Sequence, residues 1–256
     1  MDEVPLAGGS VARSVVRVGD TVRRSTERWS PAVHALLVHL EAVAFAGSPR
    51  FLGLDHQGRE ILTWIDGTPA TRPWPAPLLT DDGVRRVARL LRRYHEAVAT
   101  FSPPADSEWW TGIRGLEPGE IVLHGDLGPW NTIWRDEEPV GFIDWDFAEP
   151  GSPLTDVAEL AFFVTPMRDD DHCRECGFAP APDRRQRFVA FCDSYGIDDR
   201  ASVLDAVEEY WLTVIERTSR LGPLGIKPWD AFLRRALVEG CQGLLDWFRA
   251  YRHLVE

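Results

Sequence analysis

HGDLGPWN, residues 124–131, lies between the apolar run IVL (121–123) and the stretch TIW (132–134), and it sets a histidine, an aspartate and an asparagine close together. Taken singly, each fits a polar loop: Asp and Asn favour turns, and Gly125, Gly128 and Pro129 reinforce that reading. A second acidic stretch changes it. FIDWDFA (142–148) follows the turn Arg135-Asp136-Glu137-Glu138, so Asp126, Asn131 and Asp144 fall around three short strands, IVLH, NTIWR and PVGFID, whose turns bring them toward one point. Carboxylate and amide oxygens are hard donors that suit Mg2+, which keeps waters and substrate phosphates as its other ligands. A further carboxylate beside them can orient a hydroxyl group and accept its proton.

Outward from this centre the chain changes character. VARSVVRV (11–18) and TVRRS (21–25), joined at Gly19-Asp20, predict a hairpin. Ser30 and Pro31 predict a helix start, with Ser30 as N-cap, and Val33, Leu36, Leu37 and Leu40 recur at helical spacing. PRFLGLD (49–55) and REILTWI (59–65) predict a second strand pair ending at Asp66-Gly67. The order is strand, strand, helix, strand, strand. A stretch with prolines at 69, 73, 75 and 77 then reads as the hinge or linker, placed at 68–80. Beyond it Val84, Val87, Leu90, Leu91 and Tyr94 mark a helix, and 184–195, 200–221 and 230–252 carry the same periodicity. The expected domains are therefore a lobe at 1–67 and a helical lobe at 81–256.

HGDLGPWN followed by FIDWDFA resembles the catalytic loop and metal-binding segment of the aminoglycoside phosphotransferase and choline kinase-like families, relatives of the protein kinases, whose patterns are H-R-D-x-x-x-x-N and D-F-G. The resemblance implies an α+β, two-lobed protein-kinase-like fold: a small β-rich N-terminal lobe with one main helix and a larger, mostly helical C-terminal lobe. It implies ATP (or GTP) and Mg2+ as cofactors, with Asp126 as the catalytic aspartate, His124 bracing the loop, and Asn131 and Asp144 holding the metal. Asp146 is a further acid beside them. Family members also place a basic strand residue on the nucleotide phosphates, paired with a glutamate from the helix. The only lysine, Lys227, comes far too late, so the role falls to Arg23 or Arg24, with Arg23 favoured because it directly follows an apolar strand residue. The helix glutamate is missing: its place falls near Val33 or His34. Gly8-Gly9-Ser10 corresponds to the phosphate-covering loop, making Ser10 a cofactor contact, and the backbone from Thr63 to Ile65 to the adenine-binding hinge.

Composition narrows the partners. Residues 106–183 carry 4 Arg against 18 acids, a local net of −14, which repels nucleic acid and anionic lipid and attracts a cation. A small-molecule acceptor is expected, with a cationic one such as an aminoglycoside as one option. Neither a membrane span nor a signal peptide is read, which predicts a cytoplasmic protein. Of the 28 basic residues all but Lys227 are arginine, which suggests a GC-rich bacterial source. The four cysteines read as free thiols. DDDHCRECG (169–177) has C-x-x-C spacing beside His172, yet no second ligand pair accompanies it, so an exposed acidic loop is expected there. A D-x-D phosphatase or glycosyltransferase accounts for FIDWDFA but not for HGDLGPWN. A nucleotide-binding module without transfer draws only on the missing helix glutamate.

Overall fold

Valine-rich segments flanking a tight turn pair readily, and the computed structural model, which describes residues 2–6, 15–112, 115–226 and 229–256, shows that hairpin. It consists of β2 (Val16–Val18) and β3 (Thr21–Arg24), with the short β1 (Val4–Pro5) along its edge. Gly8-Gly9-Ser10 lies outside the described residues. The helix α1 (Ser30–Ala42) comes next and buries Val33, Leu36, Leu37 and Leu40, as its spacing predicts. Ser30 does not cap it; its Oγ accepts the Glu27 N–H at 2.8 Å. β4 (Phe51–Leu54) and β5 (Glu60–Thr63) complete an antiparallel sheet of order β1-β2-β3-β5-β4. Its register sets Arg24 directly opposite Glu60 and Thr21 opposite Thr63.

The remainder is mostly helical: β6 (Thr68–Pro69), α2 (Asp81–Val98), β7 (Ile121–Leu123), β8 (Thr132–Arg135), β9 (Glu138–Phe142), β10 (Glu149–Gly151), α3 (Pro153–Val164), α4 (Asp170–Cys176), α5 (Arg184–Tyr195), α6 (Arg200–Leu221), α7 (Trp229–Arg234) and α8 (Leu237–Tyr251). The proline-rich stretch is not a slack linker. β6 pairs with β8, and the buried Trp74 donates its backbone N–H to Cys176 O at 2.9 Å. Thr80 then caps α2 by accepting the Gly83 N–H, with Asp81 and Asp82 in the first turn where the helix dipole favours acids. The Tyr94 hydroxyl fastens α2 to β7 by donating to Val122 O at 2.6 Å.

Three differences from the sequence expectation bear on the site. The helix α3 carries no amphipathic stripe because it is buried nearly all round, and so it gave no periodic signal. The expected helix at 230–252 is broken between α7 and α8, where Ala236 takes a φ of 52°. DDDHCRECG forms the short helix α4, capped by Asp169 and with both thiols buried, rather than an exposed loop. All four cysteines are free. Among the described residues no helix is long and apolar enough to cross a membrane.

Candidate active site

HGDLGPWN links β7 to β8, and the segment after β9 folds back against it. Gly125 makes this approach possible. Its φ is 75°, and a Cβ there would sit 2.2 Å from Phe147 O, so no side chain is accommodated. His124 is fully buried and joins the two segments: its Nδ1 accepts the Asp126 N–H at 3.3 Å, and its Nε2 lies 3.1 Å from Ile143 O. An acceptor at Nδ1 and a carbonyl at Nε2 require the neutral tautomer protonated at Nε2. Burial agrees, pushing the His124 pKa down against the pull of Asp156 and Asp144.

The loop's backbone is held from below by two carboxylates of α3 that sequence reading missed. Asp156 accepts the N–H groups of His124 (2.9 Å) and Gly125 (3.2 Å), and Glu159 accepts that of Leu127 at 3.0 Å. Each carboxylate has a second support. His95 Nε2 reaches Asp156 at 3.2 Å, its Nδ1 lies 2.7 Å from the Tyr195 hydroxyl, and Tyr210 donates to Glu159 at 2.7 Å. Two acids within an apolar helix were the available signal, since buried carboxylates need partners.

Within the loop Asn131 Nδ2 donates to both Asp126 O (2.9 Å) and Asp126 Oδ2 (2.8 Å). The Trp130 indole N–H meets Asp126 Oδ1 at 3.3 Å. Its ring packs edge-on against Phe163 and lies where a Gly128 side chain would stand, yet it remains 40% exposed. Burial, followed by the Asp144 charge, pushes the Asp126 carboxyl up to about 7, against the pull of the Trp130 and Asn131 N–H groups. Asp144 adopts a left-handed conformation (φ 65°, ψ 66°) at the start of a 3-10 turn formed by Trp145–Phe147.

Across from this floor stands Arg24, not Arg23. Arg24 is buried and ion-paired with Asp144 Oδ1 (2.9 Å) and Asp146 Oδ1 (3.1 Å), while its Nε donates to Glu60. Burial disfavours the guanidinium charge, but Asp146, Glu60 and Asp144 outweigh it and hold the pKa above its usual value. Arg23, one strand position away and on the opposite face, folds back onto Thr21 Oγ1 at 2.6 Å. His34, where a helix glutamate was expected, bonds through Nε2 to Glu60 Oε2 at 2.7 Å. Glu60 was missed because its meeting with Arg24 depends on a strand pairing 36 positions apart in sequence. Thr63 ends β5, with Ile65 just beyond it. The seam between the two parts is closed nearby by the Phe142 N–H on Gly47 O at 2.8 Å.

The model of the phosphotransferase enzyme family matches residues 114–219, which span the loop, Asp144 and α3. A trifolitoxin immunity protein of Rhizobium leguminosarum bv. trifolii is 36% identical over 202 residues, covering 77% of this chain and 75% of its own. The chain belongs to the phosphotransferase enzyme family. Its fold is that of the small-molecule kinases. The GDP complex of aminoglycoside 2′-phosphotransferase-IIIa superposes with a TM-score of 0.61 at 14% identity, over 98% of this chain and 93% of that one. An amicoumacin kinase in complex with AMP-PNP and Ca2+ gives 0.63 at 12% identity, over 95% and 88%.

Proposed function

We propose that the chain transfers the γ-phosphoryl group of ATP or GTP, taken as its Mg2+ complex, to a hydroxyl of a small molecule. The observation that carries this reading is the meeting of three segments: Asp126 and Asn131 of one loop bond to each other, Arg24 of β3 pairs with Asp144 after β9, and the Asp144 charge acts on Asp126. The donor set fits a hard cation. Asn131 spends its Nδ2 on Asp126, which leaves its amide oxygen without a partner among the described residues, and one Asp144 oxygen is likewise unengaged. Asn131 and Asp144 are thus the residues to hold Mg2+, which when bound neutralises phosphate charge and favours in-line transfer.

Asp126 orients the acceptor hydroxyl and takes its proton, and burial, which raises its carboxyl pKa, makes it a stronger base for that task. The loop fixes it in place before substrate arrives, through Asn131, Trp130 and the His124 bridge, so that orientation is prepaid. Arg24 braces the phosphates with its planar fork. The backbone from Thr63 to Ile65 receives the purine. The glutamate whose absence favoured a non-transferring binding module has a counterpart in Glu60, so that reading loses its support.

For the acceptor, the relative's name points to immunity against a toxin, and phosphorylating a toxin or antibiotic hydroxyl is the role this supports. An amine-bearing acceptor is consistent with the acidic surplus at 106–183. Several acids at the site are nevertheless spent on loop N–H groups and on Arg24. The test is phosphate transfer from ATP and GTP against a panel of aminoglycosides, macrolides, amino alcohols and peptide toxins, with Asp126→Ala as control. Turnover that survives in Asp126→Ala would sink the mechanism.

A further inference from the structure

Arg24 and Glu60 are direct partners across β3 and β5, and both are nearly out of solvent, at 7% and 1% exposure. Burying two opposite charges is favourable only when each is fully paired and hydrogen-bonded, so a pair that merely joined two strands would be as well served by apolar side chains. This pair does more than join strands. Each Glu60 oxygen has its own partner: Oε1 receives Arg24 Nε, and Oε2 receives His34 Nε2 from α1. The His34 ring is itself fixed, stacked on Phe51 of β4 with centroids 3.7 Å apart and planes within 10°. Burial works to raise the Glu60 carboxyl, but the bonds from His34 and Arg24 outweigh it and hold it below its usual value.

The division of labour within the guanidinium is informative. Glu60 takes Nε, the rear donor, which leaves Nη1 and Nη2 as a forward fork reaching Asp144 and Asp146. Two parallel N–H donors of this kind match a phosphate group bidentately. We infer that Glu60 is the positioning residue for nucleotide phosphate binding, replacing a helix glutamate from strand β5, and that His34 ties it to α1. The inference rests on the nucleotide role proposed above for Arg24. When nucleotide binds, the fork exchanges carboxylate for phosphate oxygens while Nε stays on Glu60, so the guanidinium plane keeps its direction. Lysine can also meet a carboxylate and a phosphate at once, but its rotatable ammonium lacks the fixed plane that lets Glu60 aim the guanidinium fork.

Calorimetric titration of the full chain with MgATP and with adenosine separates phosphate positioning from general support, with GTP and guanosine substituted if those are what bind. Glu60→Gln is expected to weaken MgATP binding by about tenfold or more while adenosine stays within about twofold, and Arg24→Gln to do the same. The double variant should bind MgATP no more weakly than Arg24→Gln alone, because both changes act on one interaction. His34→Gln leaves the ion pair in place and should lower the MgATP-to-adenosine ratio by about threefold; it carries the test should Glu60→Gln fail to fold. Equal losses for nucleotide and nucleoside, additive losses in the double variant, or an unchanged ratio in His34→Gln would overturn the inference. If the unaltered chain binds no nucleotide, the functional reading fails and this falls with it. If it binds nucleotide and Glu60→Gln keeps the ratio, this inference alone fails.

Discussion

On the floor of the cleft His124, Asp126 and Asn131 sit within one short loop and touch each other directly, whereas on its roof Arg24, His34 and Glu60 come from a strand, a helix and a second strand. The floor keeps the histidine, aspartate and asparagine of the family pattern at their spacing, with Gly125 where that pattern has arginine. The roof keeps the charges but redistributes their carriers: arginine for lysine, a strand carboxylate for a helix one, and a histidine where the helix acid would be. A loop whose parts must meet the reacting atoms within a few ångströms has few alternative layouts. A brace needs only to present a cation at the right place, and several scaffolds can do that.

If the floor is the intolerant half, its central residue should show the largest effect. Asp126→Ala is expected to lower kcat by about a thousandfold, in the range of general acid–base contributions, with nucleotide affinity almost unchanged. Steady-state kinetics beside nucleotide titration will read both. A parallel loss of nucleotide binding would mean that Asp126 serves the whole cleft and that the division between floor and roof is false.

The floor also depends on what lies beneath it. Asp156→Ala would strip the acceptors from the buried His124 and Gly125 N–H groups and leave His95 without its carboxylate. Unsatisfied buried donors of this kind cost roughly 3 kcal/mol together, which for a chain of this size is about 6–12 °C in Tm. Thermal unfolding followed by circular dichroism measures it. A Tm within about 2 °C of the parent would show that the loop finds other partners.

On the roof, two adjacent arginines allow a sharper contrast. Arg24→Gln should weaken MgATP binding by about ten- to a hundredfold, as loss of the phosphate-bracing cation implies, while Arg23→Gln should change it by less than about twofold, because its half-buried guanidinium turns back onto Thr21 on the other face of the strand. The reverse order would restore Arg23, the choice that adjacency to an apolar residue favoured.

How much of this could be read in the sequence follows the same division. The floor was legible because its residues are close in sequence and their spacing survives folding. Arg24 was reachable only as one of two, since successive strand residues point to opposite faces and the sequence does not say which face closes the cleft. Glu60 needed the β3–β5 register, which no local pattern reports. Asp156 and Glu159 were hidden because α3 is buried on every side and so lacks the polar stripe that betrays a helix.

The smallest effect tests whether the floor contains a layer of its own invention. Trp130 donates to Asp126 Oδ1 over 3.3 Å while its ring rests between Gly128 and Phe163, half in solvent beside the proposed acceptor position. Trp130→Phe keeps an aromatic face against Phe163 and removes only the N–H. A hydrogen bond of that length contributes about 0.5–1 kcal/mol, so kcat should fall by about two- to fivefold with nucleotide affinity unmoved. Trp130→Ala removes the face as well and should add a rise in acceptor KM, because the ring is an exposed aromatic surface in direct contact with Asp126. If both variants change kcat equally and neither moves KM, the indole only orients the carboxylate and the acceptor binds elsewhere. A KM effect confined to Trp130→Ala instead makes Trp130 a wall of the acceptor site, so that one loop carries the proton acceptor, a metal ligand and part of the specificity.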